Sequence, residues 1–411
     1  MASVQKGLVT RSASWGQALA RKLVLGRLEQ LPHGSLVIEE PDGNRVCLGH
    51  GNAPAIITVN NWDTYRMMMS GGSLGAAEAY MENGWDSPDL VAVIRYFAAN
   101  INALNALEGG LAVLSQPALK LLHVYNRNSL RGSRRNIAAH YDLGNDFFAL
   151  FLDRTMMYSS AVYPTEQASL EEASAHKMDL ICQKLDLQPG MSLLEVGTGW
   201  GGLALHAARH YGVQVTTTTI SREQARYARE RVREAGLDDR ITVLEEDYRD
   251  LTGVYDRVVS VEMIEAVGAE YLDGYFRQLG ERLKSNGVLL LQAITVPDQR
   301  YHYALKQVDF IKRYIFPGGF LPSISVMCDK LTRHTDLVVI GLQDIGLDYA
   351  RTLHDWRERF LTERGRIERL GFDERFMRMW DYYLCYCEGA FLERAISTVH
   401  LVAAGPDYRT A

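Results

Sequence analysis

A glycine-rich segment is the strongest chemical signal in the sequence. It reads EVGTGWGG over residues 195–202 and lies between an apolar run and a helical pattern. Glycines at the carboxyl end of a strand let the backbone turn tightly and approach a ligand closely. Such a loop serves NAD, FAD or S-adenosylmethionine, or simply makes a turn, so the loop alone does not identify the ligand.

The spacing within this loop narrows the choice. An acidic residue, Glu195, precedes the first glycine, and the pattern differs from both G-x-G-x-x-G and the phosphate-binding loop of triphosphate enzymes. The next strand ends in Thr219, whereas a NAD site expects an acidic residue about 20 residues after the loop. A carboxylate at 195 suits a ligand with an ammonium group or hydroxyls, and we favour S-adenosylmethionine over a dinucleotide.

The elements that position this loop follow an alternating pattern. Short β-branched runs at 192–197, 213–219, 241–247, 257–262 and 287–296 alternate with helical segments at 201–211, 222–235 and 270–284. This alternation predicts an α/β fold with a doubly wound, Rossmann-like sheet. Further helices, expected within 136–180 and 300–390, would cap it.

The N-terminal part of the chain has a different pattern. Residues 14–30 are amphipathic and basic, which predicts a helix that packs on a domain or lies on an anionic membrane. A turn signal at 41–43 predicts a β-hairpin, residues 55–61 another strand, and 61–125 helices. We expect residues 1–125 to form a small α+β domain that contacts lipid or dimerises.

A polar segment at 126–136 predicts a basic linker, and residues 137–411 would then form the second domain. The linker is solvated or touches phospholipid head groups. Its basic residues are Arg127, Arg131, Arg134 and Arg135.

Composition excludes several classes of protein. The net charge of the 411 residues is −6, which disfavours broad nucleic-acid binding. The five cysteines form no CxxC pair, which favours a reducing, cytoplasmic compartment over a disulfide framework. The histidines lack metal-ligand spacing, so we predict no metal. No apolar run reaches the length of about 18 residues that a membrane span needs.

Several ordered motifs together resemble those of a known family. They are HYDLGNDFF (140–148), MYSSA (157–161), the glycine loop, TISREQ (219–224), DYRD (247–250), MIE (263–265) and YIFPGG (314–319). From residue 136 to about 400 the chain resembles the cyclopropane fatty acid synthases and mycolic acid cyclopropane synthases. The resemblance implies S-adenosylmethionine-dependent methyl transfer to unsaturated acyl chains of membrane phospholipids, giving cyclopropane fatty acids through a carbocation and deprotonation. It places the enzyme on the cytoplasmic face of the inner membrane.

The resemblance also implies which residues contact the cofactor. Tyr158 and Ser159 would contact its methionine part, and Thr219, Ser221 and Gln224 its ribose. Tyr248 and Arg249 would flank the adenine. The centre of the cofactor would lie in the loop formed by Glu195, Gly197, Thr198, Gly199 and Gly201.

For the base, the resemblance implies a bound bicarbonate held by Cys, Glu, His and Tyr side chains and an Ile backbone. Here Glu265, Tyr349 and Ile294 match that set. Ser160 stands for the Cys and Gln292 for the His. Because glutamine carries no proton or positive charge near neutral pH, the presence of bicarbonate stays open.

Glu262 lies three residues before Glu265, where the family often has Gly. If this segment begins a helix, both carboxylates share one face. Our hypothesis is that Glu262 supplies the carboxylate that bicarbonate supplies elsewhere, with its basicity raised by Glu265. The alternative is that Glu262 caps or orients backbone, or binds cofactor.

Deprotonation decides the product. Loss of a proton from the added methyl group closes a cyclopropane, which the family resemblance favours; a hydride shift or proton loss elsewhere gives a methyl-branched or furan-precursor chain. Some relatives of that second kind use a separate flavin reductase, and a homodimer is also possible. The alternative of another class is a non-catalytic lipid- or cofactor-binding protein.

Aromatic faces could shelter the cation. The candidates, each of which could equally be ordinary core, are Tyr141, Phe147, Phe148, Tyr314, Phe316, Tyr349, Tyr382 and Tyr383. Cys387 matches a family cysteine near the pocket, or is a buried thiol packed as a small apolar residue.

Overall fold

The computed structural model describes residues 12–107 and 143–409. These residues form two compact units. The N-terminal unit comprises 12–107 and 372–393, and the C-terminal unit comprises 143–371 and 394–409. The predicted linker at 126–136, with its four arginines, lies outside the described residues, as do His140, Tyr141 and Asp142 of the first motif.

The described helices and strands are as follows. The helices are α1 (Trp15–Leu28), α2 (Asp63–Met81), α3 (Leu90–Ala99), α4 (Ile101–Leu107), α5 (Asn145–Phe148), α6 (Leu170–Lys184), α7 (Gly202–Tyr211), α8 (Arg222–Glu234), α9 (Leu272–Glu281), α10 (Tyr301–Lys306), α11 (Ile324–His334), α12 (Gly346–Thr362), α13 (Arg364–Arg369) and α14 (Glu374–Leu392). The strands are β1 (Ser35–Glu39), β2 (Arg45–Gly49), β3 (Ala55–Val59), β4 (Trp85–Asp86), β5 (Ser192–Val196), β6 (Gln214–Thr218), β7 (Ile241–Leu244), β8 (Tyr255–Val261), β9 (Leu283–Thr295), β10 (Val338–Asp344) and β11 (Ser397–Ala404).

The N-terminal unit is the α+β arrangement that the sequence predicts. Its strands pair in the order β2-β1-β3-β4, and β1 and β2 form the predicted antiparallel hairpin. The turn between them contains Gly43, whose φ of 86° favours glycine. The short strand β4 was not predicted.

Helix α14 belongs to the N-terminal unit, although the sequence analysis placed it in the second domain. The Tyr80 hydroxyl of α2 donates to Asp381 at 2.9 Å, and Arg378 donates to the carbonyl oxygens of Tyr80 and Trp85. These hydrogen bonds join residues about 300 positions apart in sequence. Local sequence patterns therefore could not predict them.

Helix α1 has two different faces. Ala20, Val24 and Leu25 are buried within the unit. Trp15, Leu19 and Leu23, at spacing i, i+4 and i+8, have 83%, 42% and 40% of their surface exposed. In the described parts of the chain, no helix is long and apolar enough to cross a membrane.

A seven-stranded sheet organises the C-terminal unit, in the order β10-β11-β9-β8-β5-β6-β7. The five neighbouring strands β9, β8, β5, β6 and β7 pair in parallel, which confirms the predicted doubly wound α/β pattern. Strand β11 pairs antiparallel with β9 and with β10. Because of these antiparallel pairings, the sheet is mixed rather than wholly parallel. Neither β10 nor β11 was predicted from the sequence. Carboxyl ends of parallel strands meet at one edge of a sheet, where α/β proteins bind ligands.

Candidate active site

The glycine loop follows β5 at that edge. Gly197, Gly199 and Gly201 have φ values of 106°, 52° and 84°, a region that favours glycine. The backbone N–H groups of Gly197 and Thr198 both donate to the Thr218 carbonyl oxygen of β6, at 3.1 and 3.0 Å. A Cβ atom at Gly197 would lie 3.3 Å from Met263 Cγ. The glycine loop therefore leaves a space beside its backbone, and side chains at these glycine positions would fill that space.

Glu195 lies beneath the loop, within β5. Its carboxyl group is buried and accepts a hydrogen bond from Thr217 Oγ1 at 2.6 Å. The same hydroxyl lies 2.8 Å from Thr198 Oγ1. Burial raises the pKa of Glu195 to about 8, and the nearby charge of Lys177 opposes that rise. Direct contact between Glu195 and a cofactor stays a prediction.

The residues predicted to reach the ribose come together after β6. Thr219 Oγ1 donates to Gln224 Oε1 at 2.9 Å, and both residues are buried. Ser221 accepts from the Gln224 backbone N–H at 3.3 Å and so caps the start of α8. This arrangement orients neutral hydrogen-bonding groups at the carboxyl end of β6.

The residues predicted to flank adenine lie in a single turn, Tyr248–Asp250. The Arg249 guanidinium carbon lies 5.3 Å from the centre of the Tyr248 ring and 5.5 Å from that of Tyr271. Arg249 also forms an ion pair with Asp247 at 3.2 Å. The guanidinium is thus held beside two aromatic rings.

An aromatic cluster surrounds Tyr158. Its ring centre lies 5.2 Å from that of Phe148, 5.3 Å from that of Trp356 and 6.4 Å from that of Phe316. Phe147 packs against Phe148, at 5.4 Å between ring centres. The other candidate aromatic residues lie elsewhere. Tyr314, in the helical turn Ile311–Ile315, packs against Phe310. Tyr382, Tyr383 and Cys387 lie on α14 of the N-terminal unit, and Tyr141 lies outside the described residues.

The Glu262 carboxylate is the centre of the site's polar network. Glu262 Oε1 accepts from the Ser160 backbone N–H at 2.9 Å and from Gln292 Nε2 at 2.8 Å. Its Oε2 accepts from the Tyr349 hydroxyl at 2.9 Å. Burial raises the pKa of Glu262, and the three donors and the Lys177 charge oppose that rise. Three donors therefore support an ionised carboxylate here.

Two details of this network correct the sequence analysis. The segment does not begin an α-helix: Glu262 has a φ of 47°, and only a short 3₁₀ turn, Ile264–Ala266, follows it. Ser160 uses its backbone N–H toward Glu262, while its hydroxyl donates to the Ala161 carbonyl oxygen at 2.8 Å. Every residue except proline has a backbone N–H, so the sequence could not indicate that the Ser160 N–H donates to Glu262.

Glu265 lies in a different environment from Glu262. Its Oε1 accepts from the Ile294 backbone N–H at 2.6 Å. Its Oε2 is buried and has no hydrogen-bond partner among the residues that the structure describes. Burial, and then the negative charge of Glu262, raise the pKa of Glu265 to about 8. The pKa of Glu262 is raised as expected, but the cause is burial, and the effect of one carboxyl group on the other is seen at Glu265. This favours one ionised and one protonated carboxyl group at neutral pH.

The site does not fit the bound bicarbonate that the resemblance implies. Gln292 and Tyr349, two of the expected donors, already donate to Glu262, and the Ile294 N–H donates to Glu265. An additional anion would face both carboxyl groups without these donors. We therefore derive no chemical step through bicarbonate.

Three buried or half-buried polar residues of the site were missed. Lys177 is fully buried and donates to the Ser159 hydroxyl at 2.9 Å. His400 Nε2 lies 2.9 Å from Gln292 Oε1, and Lys184 Nζ lies 2.8 Å from His400 Nδ1. The signal that could have revealed His400 is the apolar run at 397–404, which is a strand and places His400 directly opposite Gln292.

Comparison with known proteins identifies the family of the chain. The family model described as mycolic acid cyclopropane synthetase matches residues 128–401. The tuberculostearic acid methyltransferase UfaA1 of Mycobacterium tuberculosis is 37% identical over 95% of this chain and 91% of its own. The cyclopropane-fatty-acyl-phospholipid synthase of Escherichia coli is 39% identical over 86% of this chain and 88% of its own.

A solved structure resembles about two thirds of the chain. It is that of mycolic acid cyclopropane synthase CmaA1 complexed with SAH and CTAB, which is 33% identical, with a TM-score of 0.62 over 66% of this chain and 98% of that one. The cradle after β5 and the neutral groups after β6 fit the S-adenosylmethionine that this family uses. The chain therefore belongs to the mycolic acid cyclopropane synthetase family of S-adenosylmethionine-dependent lipid methyltransferases.

Proposed function

We propose that the protein transfers a methyl group to the cis double bond of an unsaturated acyl chain in a membrane phospholipid, and that Glu262 is the base that completes the reaction. The observation that carries this proposal is the Glu262 carboxylate, held by a backbone N–H, an amide and a phenol at 2.8–2.9 Å. The two full-length relatives, one named for tuberculostearic acid and one for cyclopropane phospholipids, support the substrate class.

When bound, S-adenosylmethionine supplies a methyl group on a positively charged sulfur. The glycine loop, Thr219 and Gln224 would hold it, with Tyr158 and Ser159 at its methionine end. The buried Lys177 ammonium donates to the Ser159 hydroxyl at 2.9 Å and holds this hydroxyl in position. These groups orient the methyl group relative to the alkene, and such positioning is itself a large part of catalysis.

The aromatic cluster of Tyr158, Phe148, Trp356 and Phe316 suits the charge that forms on the substrate. Addition of a methyl group to one alkene carbon leaves a positive charge on the other. Aromatic faces stabilise a cation and exclude water that would otherwise capture it. Trp356 of the cluster lies 6.0 Å, between ring centres, from Tyr349, whose hydroxyl donates to Glu262. Charge stabilisation and proton removal are therefore available at neighbouring positions.

The reaction balances when one proton leaves the cation. A carboxylate has about four lone-pair sites, and in Glu262 Oε1 accepts two hydrogen bonds whereas Oε2 accepts only that of Tyr349. The open position is therefore on Oε2, which would receive the proton. The pair of electrons from the broken C–H bond forms the ring or the new double bond.

Two products of identical mass fit this scheme, a cyclopropane and a methyl-branched or methylene chain. One observation favours the branched product: Glu262 takes the donors that the family resemblance assigns to bicarbonate in ring formation. A carboxylate that is tethered to the backbone and held by three donors has less freedom than a bound anion to approach the added methyl group. A 1,2-hydride shift, which produces the more stable tertiary cation, then competes better with ring closure.

The experiment is expression in a bacterium whose own cyclopropane synthase is deleted, followed by gas chromatography and mass spectrometry of the membrane fatty acids. We expect acyl chains that gain one CH₂ group and retain a double bond. A ring-bearing, saturated product would establish cyclopropanation instead. Unchanged lipids, with the protein folded and S-adenosylmethionine bound, would contradict the proposed activity and favour a non-catalytic binding protein.

We also propose that α1 contacts the membrane that carries the substrate. Its stripe of Trp15, Leu19 and Leu23 is exposed, and Lys22 lies on the same side of the helix. An exposed aromatic and aliphatic stripe beside basic residues is typical of helices that lie in the membrane interface. A homodimer and a separate flavin reductase stay predictions.

A further inference from the structure

A chain of hydrogen bonds connects the rim of the C-terminal unit with Glu262. Lys184 Nζ, in the last turn of α6, lies 2.5 Å from Oε1 of the exposed residue Gln343 and 2.8 Å from His400 Nδ1. His400 Nε2 lies 2.9 Å from Gln292 Oε1. Gln292 Nε2 lies 2.8 Å from Glu262 Oε1. His400 and Gln292 are opposite each other in the pairing of β11 with β9, and both are buried.

Elementary donor and acceptor rules fix the direction of every bond in this chain. Burial lowers the pKa of Lys184 to about 8, so at neutral pH the side chain is mainly an ammonium, which only donates. His400 Nδ1 therefore accepts, and the His400 proton is on Nε2. That Nε2–H donates to Gln292, which must then present its oxygen to His400. The NH₂ group of the same amide consequently faces Glu262.

We infer that Lys184 and His400 are positioning residues for Gln292: together they hold its amide so that NH₂, and not the carbonyl oxygen, faces the Glu262 carboxylate. This inference rests on the proposed role of Glu262 as the base. Lys184 and His400 themselves contact neither substrate nor cofactor in this account.

The Gln292 NH₂ group also lies 3.3 Å from the Ser160 carbonyl oxygen, a longer contact than the 2.8 Å one with Glu262. Without the Lys184 ammonium, only these two contacts, and no longer His400, fix the orientation of the Gln292 amide. His400 can place its proton on Nδ1, and the Gln292 amide can then rotate by half a turn. The amide oxygen would point at Glu262 Oε1, and that contact is favourable only if Glu262 is protonated. A protonated Glu262 cannot accept the proton that the reaction releases.

His400 is suited to this role because it stays neutral. Burial lowers the pKa of His400 well below its usual value, and the positive charges of Lys184 and Lys177 lower it further. A charged imidazole would donate from both nitrogens and could not accept from Lys184. Gln292 itself passes no proton outward, because its NH₂ group has no acceptor position for the proton of Glu262.

The groups that set the protonation of Glu262 come from several elements. Lys177 of α6 favours its ionised form, as do the donors Ser160, Gln292 and Tyr349. Glu265, in the turn after β8, is the neighbouring carboxyl group, and the negative charge of Glu262 raises its pKa. The Ser160 N–H cannot become an acceptor, whereas the Gln292 amide and the Tyr349 hydroxyl can. The test acts on Gln292 alone, because it removes the residue that fixes this amide and leaves the other groups in place.

The test uses the full-length protein with Lys184→Met, and His400→Leu as the second variant if the first does not fold. Lys184→Arg, which keeps a charged donor, should restore wild-type behaviour. Lys284→Met, which removes a lysine ion-paired with Asp256 at 2.8 Å on the surface, is the matched control. Protonation of Glu262 is followed by infrared difference spectra of ¹³C-glutamate-labelled protein, identified through Glu262→Gln, without substrate or cofactor.

We expect the Lys184→Met change to raise the titration midpoint of Glu262 by about one pH unit, and to lower kcat about tenfold at pH values below that midpoint, with KM unchanged. An unshifted Glu262 titration in a folded Lys184→Met protein would overturn the inference. Because the infrared titration needs no turnover, a wild-type protein that lacks methyl transfer would contradict the proposed function separately, while the midpoint still decides the role of Lys184 and His400.

Discussion

The hydroxyl of Tyr349 donates to Glu262 Oε2 at 2.9 Å, across 87 positions of sequence. Tyr349 lies on α12 and Glu262 directly follows β8, so this bond joins the helical layer to the carboxyl edge of the sheet. It also separates the two carboxylate oxygens of Glu262, because Oε1 accepts two donors and Oε2 accepts one. The less occupied oxygen is the one that can take a proton.

Tyr349→Phe removes this single donor and keeps the ring. We expect the apparent pKa on the acidic side of the kcat profile to rise, because the ionised form of Glu262 loses one hydrogen bond. The loss in kcat at neutral pH should be about tenfold, with little change in cofactor affinity. Tyr255→Phe, whose hydroxyl lies 3.5 Å from the Thr252 carbonyl oxygen at the surface, is the control. Equal pH profiles for both variants would argue against a role for Tyr349.

Glu262→Gln tests proton removal while preserving shape. General-base groups contribute about 10²- to 10⁴-fold to rate, so we expect a loss of kcat in that range and an unchanged affinity for S-adenosylmethionine. Steady-state methyl transfer from radiolabelled cofactor and calorimetric cofactor binding give the two quantities. A variant with full turnover would leave Glu262 only a structural or binding role.

Glu265→Gln should behave differently, because the pKa of Glu265 is raised to about 8 and the group is protonated at neutral pH. A carboxyl group whose pKa is higher in the folded state binds its proton there while the unfolded chain has lost it. Between its ordinary value near 4.5 and about 8, the free energy of unfolding therefore falls as pH rises.

The measurement is thermal or urea unfolding of wild type and Glu265→Gln from pH 5 to pH 8. We expect the wild type to lose up to about 1 kcal/mol more per pH unit than the variant. Glu195, whose pKa is also raised to about 8, contributes the same trend to both proteins and so cancels in the comparison. Parallel pH curves would show that Glu265 is ionised in the folded protein.

The exposed stripe of α1 gives a test of membrane contact. Trp15→Ser combined with Leu19→Ser should weaken binding to vesicles that contain anionic phospholipid by about tenfold or more, because apolar area no longer enters the interface. Both side chains are exposed, so the fold should be preserved. Val254→Ser, at an exposed loop position of the C-terminal unit, is the control. Sedimentation with vesicles that is equal for all three proteins would exclude α1 as the contact.

Much of the fold followed from local pattern, and the exceptions have physical reasons. The parallel strands are short β-branched runs between helices, and each was located from the sequence. Strand β10 was missed because it lies between two helices in a region that reads as helical. Strand β11 was missed with it, since an antiparallel addition at the sheet edge breaks the strand-helix alternation.

For the candidate site, the sequence indicated most of the residues but not all of their contacts. The family resemblance pointed to Glu265, Gln292 and Tyr349, and the position of a further carboxylate pointed to Glu262. The structure brings these four residues together. The pairing of His400 with Gln292 depends on the β11–β9 register, which could not be inferred without β11. Donation by the Ser160 backbone depends on conformation rather than on residue type.

Glu262→Gly offers the most direct measurement of the central claim, that Glu262 takes the place of a bound bicarbonate. This change frees the Ser160 N–H, Gln292 and Tyr349 to bind a small anion. We predict that methyl-transfer turnover of the variant, assayed in carbonate-free buffer, is lost and then returns on addition of bicarbonate or formate, whereas the wild type is indifferent to both. A wild type that requires bicarbonate, or a variant that is fully active without it, would contradict the account.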